Sequence, residues 1–170
     1  MSCYIGIDVG LKGAIAILQE GAPPDVRAMP LLPGKRQRID ERQVRDLLAG
    51  TQLREPFAVL EEHRPFLKPR QRQPGAYALF RLGEKYGFIR GLLVALVIPF
   101  EEVAPRKWQK VYGISKETKV QSIEMAGRLF PGVDLRATSR CRKLHDGMAD
   151  ALLMAEYGRR LHATGGAGSG

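Results

Sequence analysis

The feature that most restricts this chain stands at its start. Tyr4-Ile5-Gly6-Ile7-Asp8-Val9 and Ala14-Ile15-Ala16-Ile17-Leu18 are two short β-rich runs on either side of the glycine-bearing turn Gly10-Leu11-Lys12-Gly13. Such runs around a tight turn close as a β-hairpin. Residues 25–29, after Pro23-Pro24, add a third antiparallel strand before the Pro33-Gly34 break. A helix follows, with Val44, Leu47 and Leu48 at helical spacing, Asp40 as its N-cap and Gly50 at its end. Phe57-Ala58-Val59-Leu60 reads as a buried strand. The remainder predicts a helix from 75 to about 96, a strand over 97–103, and helices over 116–130 and from 145 to about 161. Strands joined by helices pair in parallel. The expected fold is therefore α/β: a mixed central sheet of about five strands flanked by helices, in one domain over 1–162, with 163–170 as a flexible Gly-rich tail.

Composition narrows the function classes. The longest apolar run, 91–100, contains a proline and lies between Arg90 and Glu101, far short of the roughly 20 apolar residues that span a bilayer. No membrane segment and no secretory signal is expected. Cys3 and Cys141 are too few for a disulfide scaffold, which points to a reducing, cytoplasmic setting. The formal net charge of +9 on 170 residues favours a polyanionic partner, because each Lys or Arg set against a phosphate releases a condensed counterion.

The candidate chemistry is carried by carboxylates. Asp8 interrupts an apolar strand, Glu61 ends the strand 57–60, and Asp146 and Asp150 stand four residues apart on a helix whose other residues include Met148, Ala149, Ala151, Leu152 and Leu153. Buried like charges call for a cation. An all-oxygen set without a Cys or His cluster suits Mg²⁺ or Mn²⁺ rather than Zn²⁺. On a basic chain, the natural chemistry is phosphodiester hydrolysis with two ions per site. Glu62 is the alternative to Glu61; strand alternation favours Glu61. His145 either moves a proton for the attacking water or only begins the helix.

Ile5-Gly6-Ile7-Asp8-Val9-Gly10, Val59-Leu60-Glu61 and Lys143-Leu144-His145-Asp146-Gly147-Met148-Ala149-Asp150 together resemble the RuvC-type Holliday junction resolvases of the RNase H-like superfamily, in particular their compact phage relatives. The resemblance implies a homodimeric, Mg²⁺-dependent endonuclease that nicks opposing strands of a four-way junction in a bacterial or phage-infected cell. It implies Asp8, Glu61, Asp146 and Asp150 as metal ligands. It also implies a Phe that wedges into the crossover shortly after the Glu, a role that would fall here on Phe66, and lysines near the scissile phosphate, for which Lys110 and Lys116 are the candidates.

Two basic segments are expected to meet DNA: Arg64, Lys68, Arg70 and Arg72 around Phe66, and Arg106, Lys107, Lys110, Lys116 and Lys119 around Trp108. Gly83, Gly87 and Gly91 form a stripe through the long helix, open either to its own sheet or to a partner's helix. Other readings of the same acids are a nuclease for RNA:DNA hybrids, a non-catalytic junction-binding module, and half of a sugar-kinase or actin-like ATPase, for which the chain is too short.

Overall fold

The computed structural model of the chain describes residues 2–35, 37–62, 75–115 and 120–165. Strand β1, Cys3–Asp8, pairs antiparallel with β2, Ala14–Gln19, which pairs antiparallel with β3, Asp25–Ala28. After helix α1, Glu41–Ala49, strand β6, Pro56–Glu61, returns parallel to β1 on its other side. Strand β7, Phe100–Val103, extends the parallel half after helix α2, Ala76–Ala95. The sheet order is β3-β2-β1-β6-β7, the expected five strands. A short pair not foreseen in the sequence, β4 (Leu31–Leu32) and β5 (Arg38–Ile39), sits ahead of α1. The Asp40 cap holds: its carboxylate accepts from the Gln43 N–H at 3.1 Å.

Strand alternation sorts the core into two layers. Cys3, Ile5 and Ile7 of β1, with Ala58 and Leu60 of β6, face α1 and α2 and pack with Val44, Leu48, Ile89 and Leu93. The opposite face of the sheet is lined by small residues, Gly6, Ala14 and Ala16, and takes helix α5, Asp146–Gly165. An ideal Cβ at Gly6 would lie 1.9 Å from the Ala151 carbonyl oxygen and 2.5 Å from the Ala155 nitrogen. The helix backbone therefore rests directly on the strand, and Gly6 is required for the approach. Helices α3, Pro105–Val111, and α4, Val120–Leu129, supply Trp108 and Ala126 to the same layer and cover the outer side of α5. That enclosure accounts for a helix that is apolar nearly all round.

Two boundaries depart from the sequence reading, and a third falls outside the described residues. The strand expected from 97 begins at Phe100, because Val97 ends α2: the Val97 N–H donates to the Val94 carbonyl and the Ile98 N–H to the Leu93 carbonyl. This is a Schellman closure with Leu93 and Ile98 both buried, and Val97 takes the left-handed position (φ 54°) where glycine is usual. Helix α4 is described from Val120, so Lys116 and Lys119 lie outside the described residues. Helix α5 continues past 162 to Gly165, since His162, Ala163 and Thr164 include no helix breaker.

Because Gly6 meets backbone, which cannot rotate away, Gly6→Ala is expected to destabilise the protein by about 3 kcal/mol or more. That corresponds to a fall of about 10 °C in melting temperature for a domain of this size. A variant melting within about 2 °C of the parent would contradict the close approach.

Candidate active site

Parallel pairing sets Ile7 opposite Leu60, so Asp8 and Glu61 end neighbouring strands at the same level. Alternation turns both toward the α5 face, since Gly6 and Val59, two residues back along each strand, lie on that face. The first turn of α5 closes over them. An ideal Cβ at Gly147 would lie 2.5 Å from the Lys12 carbonyl oxygen and 3.0 Å from Asp8 Oδ2, so glycine is again needed for the helix to reach the turn between β1 and β2. The amino end of a helix favours negative charge, which steadies Asp8 there.

Asp8, Asp146 and Asp150 line a cleft of about 470 Å³ together with Lys12, Gly13, Pro105, Gln109, Ser115 and Ser122. Glu61 is not on the cleft wall. Its Oε2 accepts from the indole N–H of Trp108 at 3.2 Å, and Trp108 is completely buried. Burial pushes the Glu61 carboxyl up to about 7; the Trp108 hydrogen bond opposes this and the neighbouring Asp150 charge adds to it. Asp150 Oδ1 is inaccessible to solvent. Among the described residues no three Asp, Glu, His or Cys side chains converge closely enough to enclose an ion. Asp8, Asp146 and Asp150 thus line the cleft as an open, oxygen-only set, with the Glu61 carboxylate near Asp150.

No protein-family model matches the chain, and no curated protein matches it. Among solved structures, T. thermophilus RuvC in complex with a Holliday junction substrate aligns with a TM-score of 0.59 at 16% identity, over 96% of this chain and 96% of that one. The chain has the RuvC fold. A second T. thermophilus RuvC structure aligns with a TM-score of 0.49 at 18% identity, over 93% of this chain and 96% of that one. The yeast mitochondrial Holliday junction resolvase Ydc2 aligns with a TM-score of 0.48 at 18% identity, over 94% of this chain and 78% of that one.

On this RuvC-type frame the other sequence candidates separate. Glu62 turns to the opposite face: its N–H donates to the Val103 carbonyl and its charge acts on Tyr86 of α2. Tyr86 and Arg90 also hold Glu102, at 2.8 and 2.7 Å. His145 caps α5, with Nδ1 accepting from the Met148 N–H at 3.2 Å, so the structure displays the helix-starting role directly. Arg106 and Lys110 are exposed on α3, whereas Lys107 is paired with Glu101 at 2.9 Å. Arg64, Phe66, Lys68, Arg70 and Arg72 lie outside the described residues, as do Lys116 and Lys119. Among the described residues, Cβ atoms at Gly83, Gly87 and Gly91 would meet nothing within 4 Å, so the stripe does not pack on its own sheet.

Trp108, Lys12 and the polar wall of Gln109, Ser115 and Ser122 were not singled out as site residues from the sequence. Trp108 carried a signal, being the chain's single tryptophan in a basic stretch, but nothing local tells which carboxylate an indole will meet.

With a folded-state value near 7 against an ordinary 4.5, Glu61 keeps its proton longer in the folded protein than in the unfolded chain. Metal-free protein should lose stability as pH rises from about 4.5 through 7, by about 3 kcal/mol at most. Glu61→Gln has no proton to lose. It is expected to melt near the parent at pH 5 and several degrees above it at pH 8, in EDTA. Equal margins at both pH values would contradict the assignment.

Proposed function

We propose that the chain is a Holliday junction resolvase, a divalent-metal-dependent endonuclease that makes paired, symmetric nicks in four-way DNA junctions. The observation that carries this reading is the meeting at one cleft of carboxylates from separate elements, Asp8 of β1 with Asp146 and Asp150 of α5, beside Glu61 of β6. The RuvC that shares the fold over 96% of the chain was solved with a Holliday junction substrate, which supports the same class of substrate here.

The donor set fits a hard cation. All four groups are carboxylates, and the burial that pushes Glu61 up to about 7, with the Asp150 charge adding to it, disfavours an ionised form that a divalent ion beside it would favour. Asp8, Glu61, Asp146 and Asp150 would hold two Mg²⁺ or Mn²⁺ ions, which when bound supply a water of lowered pKa and charge neutralisation at the leaving oxygen. The protein's own residues do the positioning. Trp108 holds Glu61 in one orientation, and His145 fixes the first turn of α5 that carries Asp146. Lys12 at the cleft and the exposed Arg106 and Lys110 offer cations to the DNA backbone. The DNA-contacting roles expected of Lys116, Lys119, Arg64, Lys68, Arg70 and Arg72, and the wedge role of Phe66, belong to the same reading and fall on residues outside those described.

Two cuts require two sites, and helix α2 offers the means to pair them. Tyr77, Phe80 and Val94 are 74%, 66% and 66% exposed, and with Glu84, Gly87 and Gly91 they recur at alternating three- and four-residue spacing along one face. Small residues between apolar ones let two helices approach across a two-fold axis.

Asp8→Asn and Asp150→Asn are each expected to lower junction cleavage in Mg²⁺ about a hundredfold or more while junction binding persists, because the amide binds cations poorly and leaves the basic surface intact. Gel-shift and cleavage assays on one labelled junction check this; cleavage within tenfold of the parent in both variants contradicts it. Gly87→Leu is expected to sediment as a folded monomer that accumulates singly nicked junctions. A variant that remains dimeric rejects α2 as the pairing helix.

A further inference from the structure

The segment between α4 and α5 contains cations that neither the fold nor the cleft uses. Between 136 and 144 stand Arg136, Arg140, Arg142 and Lys143, with no carboxylate among them. The loop is closed at its neck, where the His145 N–H donates to the Leu135 carbonyl at 2.8 Å and Leu135 is buried. It is braced within, where the Cys141 N–H donates to the Thr138 carbonyl at 3.0 Å and Thr138 Oγ1 lies 3.2 Å from Cys141 Sγ. A loop of this length with joined ends is a compact surface unit, a class that is frequently functional. Arg136 is committed elsewhere: its guanidinium forms a two-pronged pair with Asp134, which holds that carboxylate at about 2. Arg140, Arg142 and Lys143 are exposed, and no ion pair among the described residues occupies them. The neck residue His145 is directly followed by Asp146, a wall of the cleft.

We propose that the 136–144 loop is a DNA-backbone clamp at the mouth of the cleft, in which Arg140, Arg142 and Lys143 grip successive phosphates of the strand entering it. The proposal rests on the reading of the cleft as a nuclease site acting on branched DNA. Residues 140–143 span at most about 10 Å, over which one strand presents about three phosphates at roughly 3.4 Å of axial rise each. The closed neck fixes the loop to the same helix end that carries Asp146, so a strand held by the loop is also held in register with the carboxylates. Contacts to phosphate carry no base information, so a grip of this kind is independent of sequence.

The test is binding of a labelled four-way junction in EDTA across a range of salt. The triple variant Arg140→Ala, Arg142→Ala, Lys143→Ala is expected to bind about tenfold more weakly, with the slope of log K against log salt smaller by about 2 to 3. Arg140→Lys with Arg142→Lys should keep the slope, because the charge persists. Removing Arg38, Arg42 and Arg45, exposed around α1 on the opposite face of the sheet, should leave it nearly unchanged although the net charge falls equally. A triple-variant slope equal to the parent's, or equal losses in the α1 variant, overturns the clamp. A cleavage assay of the parent protein on the same junction in Mg²⁺ separates the two claims: a reduced slope without junction cleavage upholds the clamp and rejects the nuclease reading. Cleavage with an unchanged slope does the reverse.

Discussion

The rest of the structure depends on the contact between α5 and β1. Gly6 has no side chain, and its strand meets the backbone of Ala151 and Ala155 so closely that a single methyl group would collide. Ala14 and Ala16 keep the neighbouring strand equally low, and Ala149, Ala151 and Ala155 do the same on the helix. Close-packed interiors tolerate little adjustment, so this contact fixes the height and direction of α5 over the sheet. The helix's first turn then arrives against Asp8, and Asp150 arrives beside Glu61. Carboxylates on two strand ends and one enclosed helix are held more rigidly than any loop would hold them.

Charge is distributed in opposition to this centre. The chain has a net charge of +9, yet Asp8, Asp146 and Asp150 line the cleft while the exposed Arg106, Lys110, Arg140, Arg142 and Lys143 stand outside its lining. A polyanion is drawn to the surface by the long-range field and repelled at the cleft itself until cations reverse the local sign. Under the proposed function, this arrangement would make admission of phosphate to the site depend on a divalent ion while attraction of DNA to the surface does not.

Much of this was legible in the sequence because it follows from short-range rules. The hairpin around Gly10-Leu11-Lys12-Gly13, the Asp40 cap and the four-residue spacing of Asp146 and Asp150 are local patterns, and strand alternation alone separated Glu61 from Glu62. The misread places are those where tertiary context overrides local preference. Val97 is β-branched and reads as strand, but the Leu93–Ile98 contact makes it the residue that turns α2 back toward the sheet. Helix α3 is only seven residues long and starts at Pro105, too short for a periodic signal, yet it delivers Trp108 to Glu61. The 136–144 cations were overlooked because charge in a loop acquires meaning only once the loop's neck is known to sit at the cleft.

In the proposed function these carboxylates cut branched DNA. The most direct measurement is incubation of the unaltered protein with labelled four-way junction, linear duplex and RNA:DNA hybrid of matched length, in Mg²⁺ and in EDTA. The expected result is symmetric pairs of nicks in the junction alone, in Mg²⁺ alone. Cleavage of the hybrid with the junction left intact, or binding of the junction without cleavage in Mg²⁺, would contradict it.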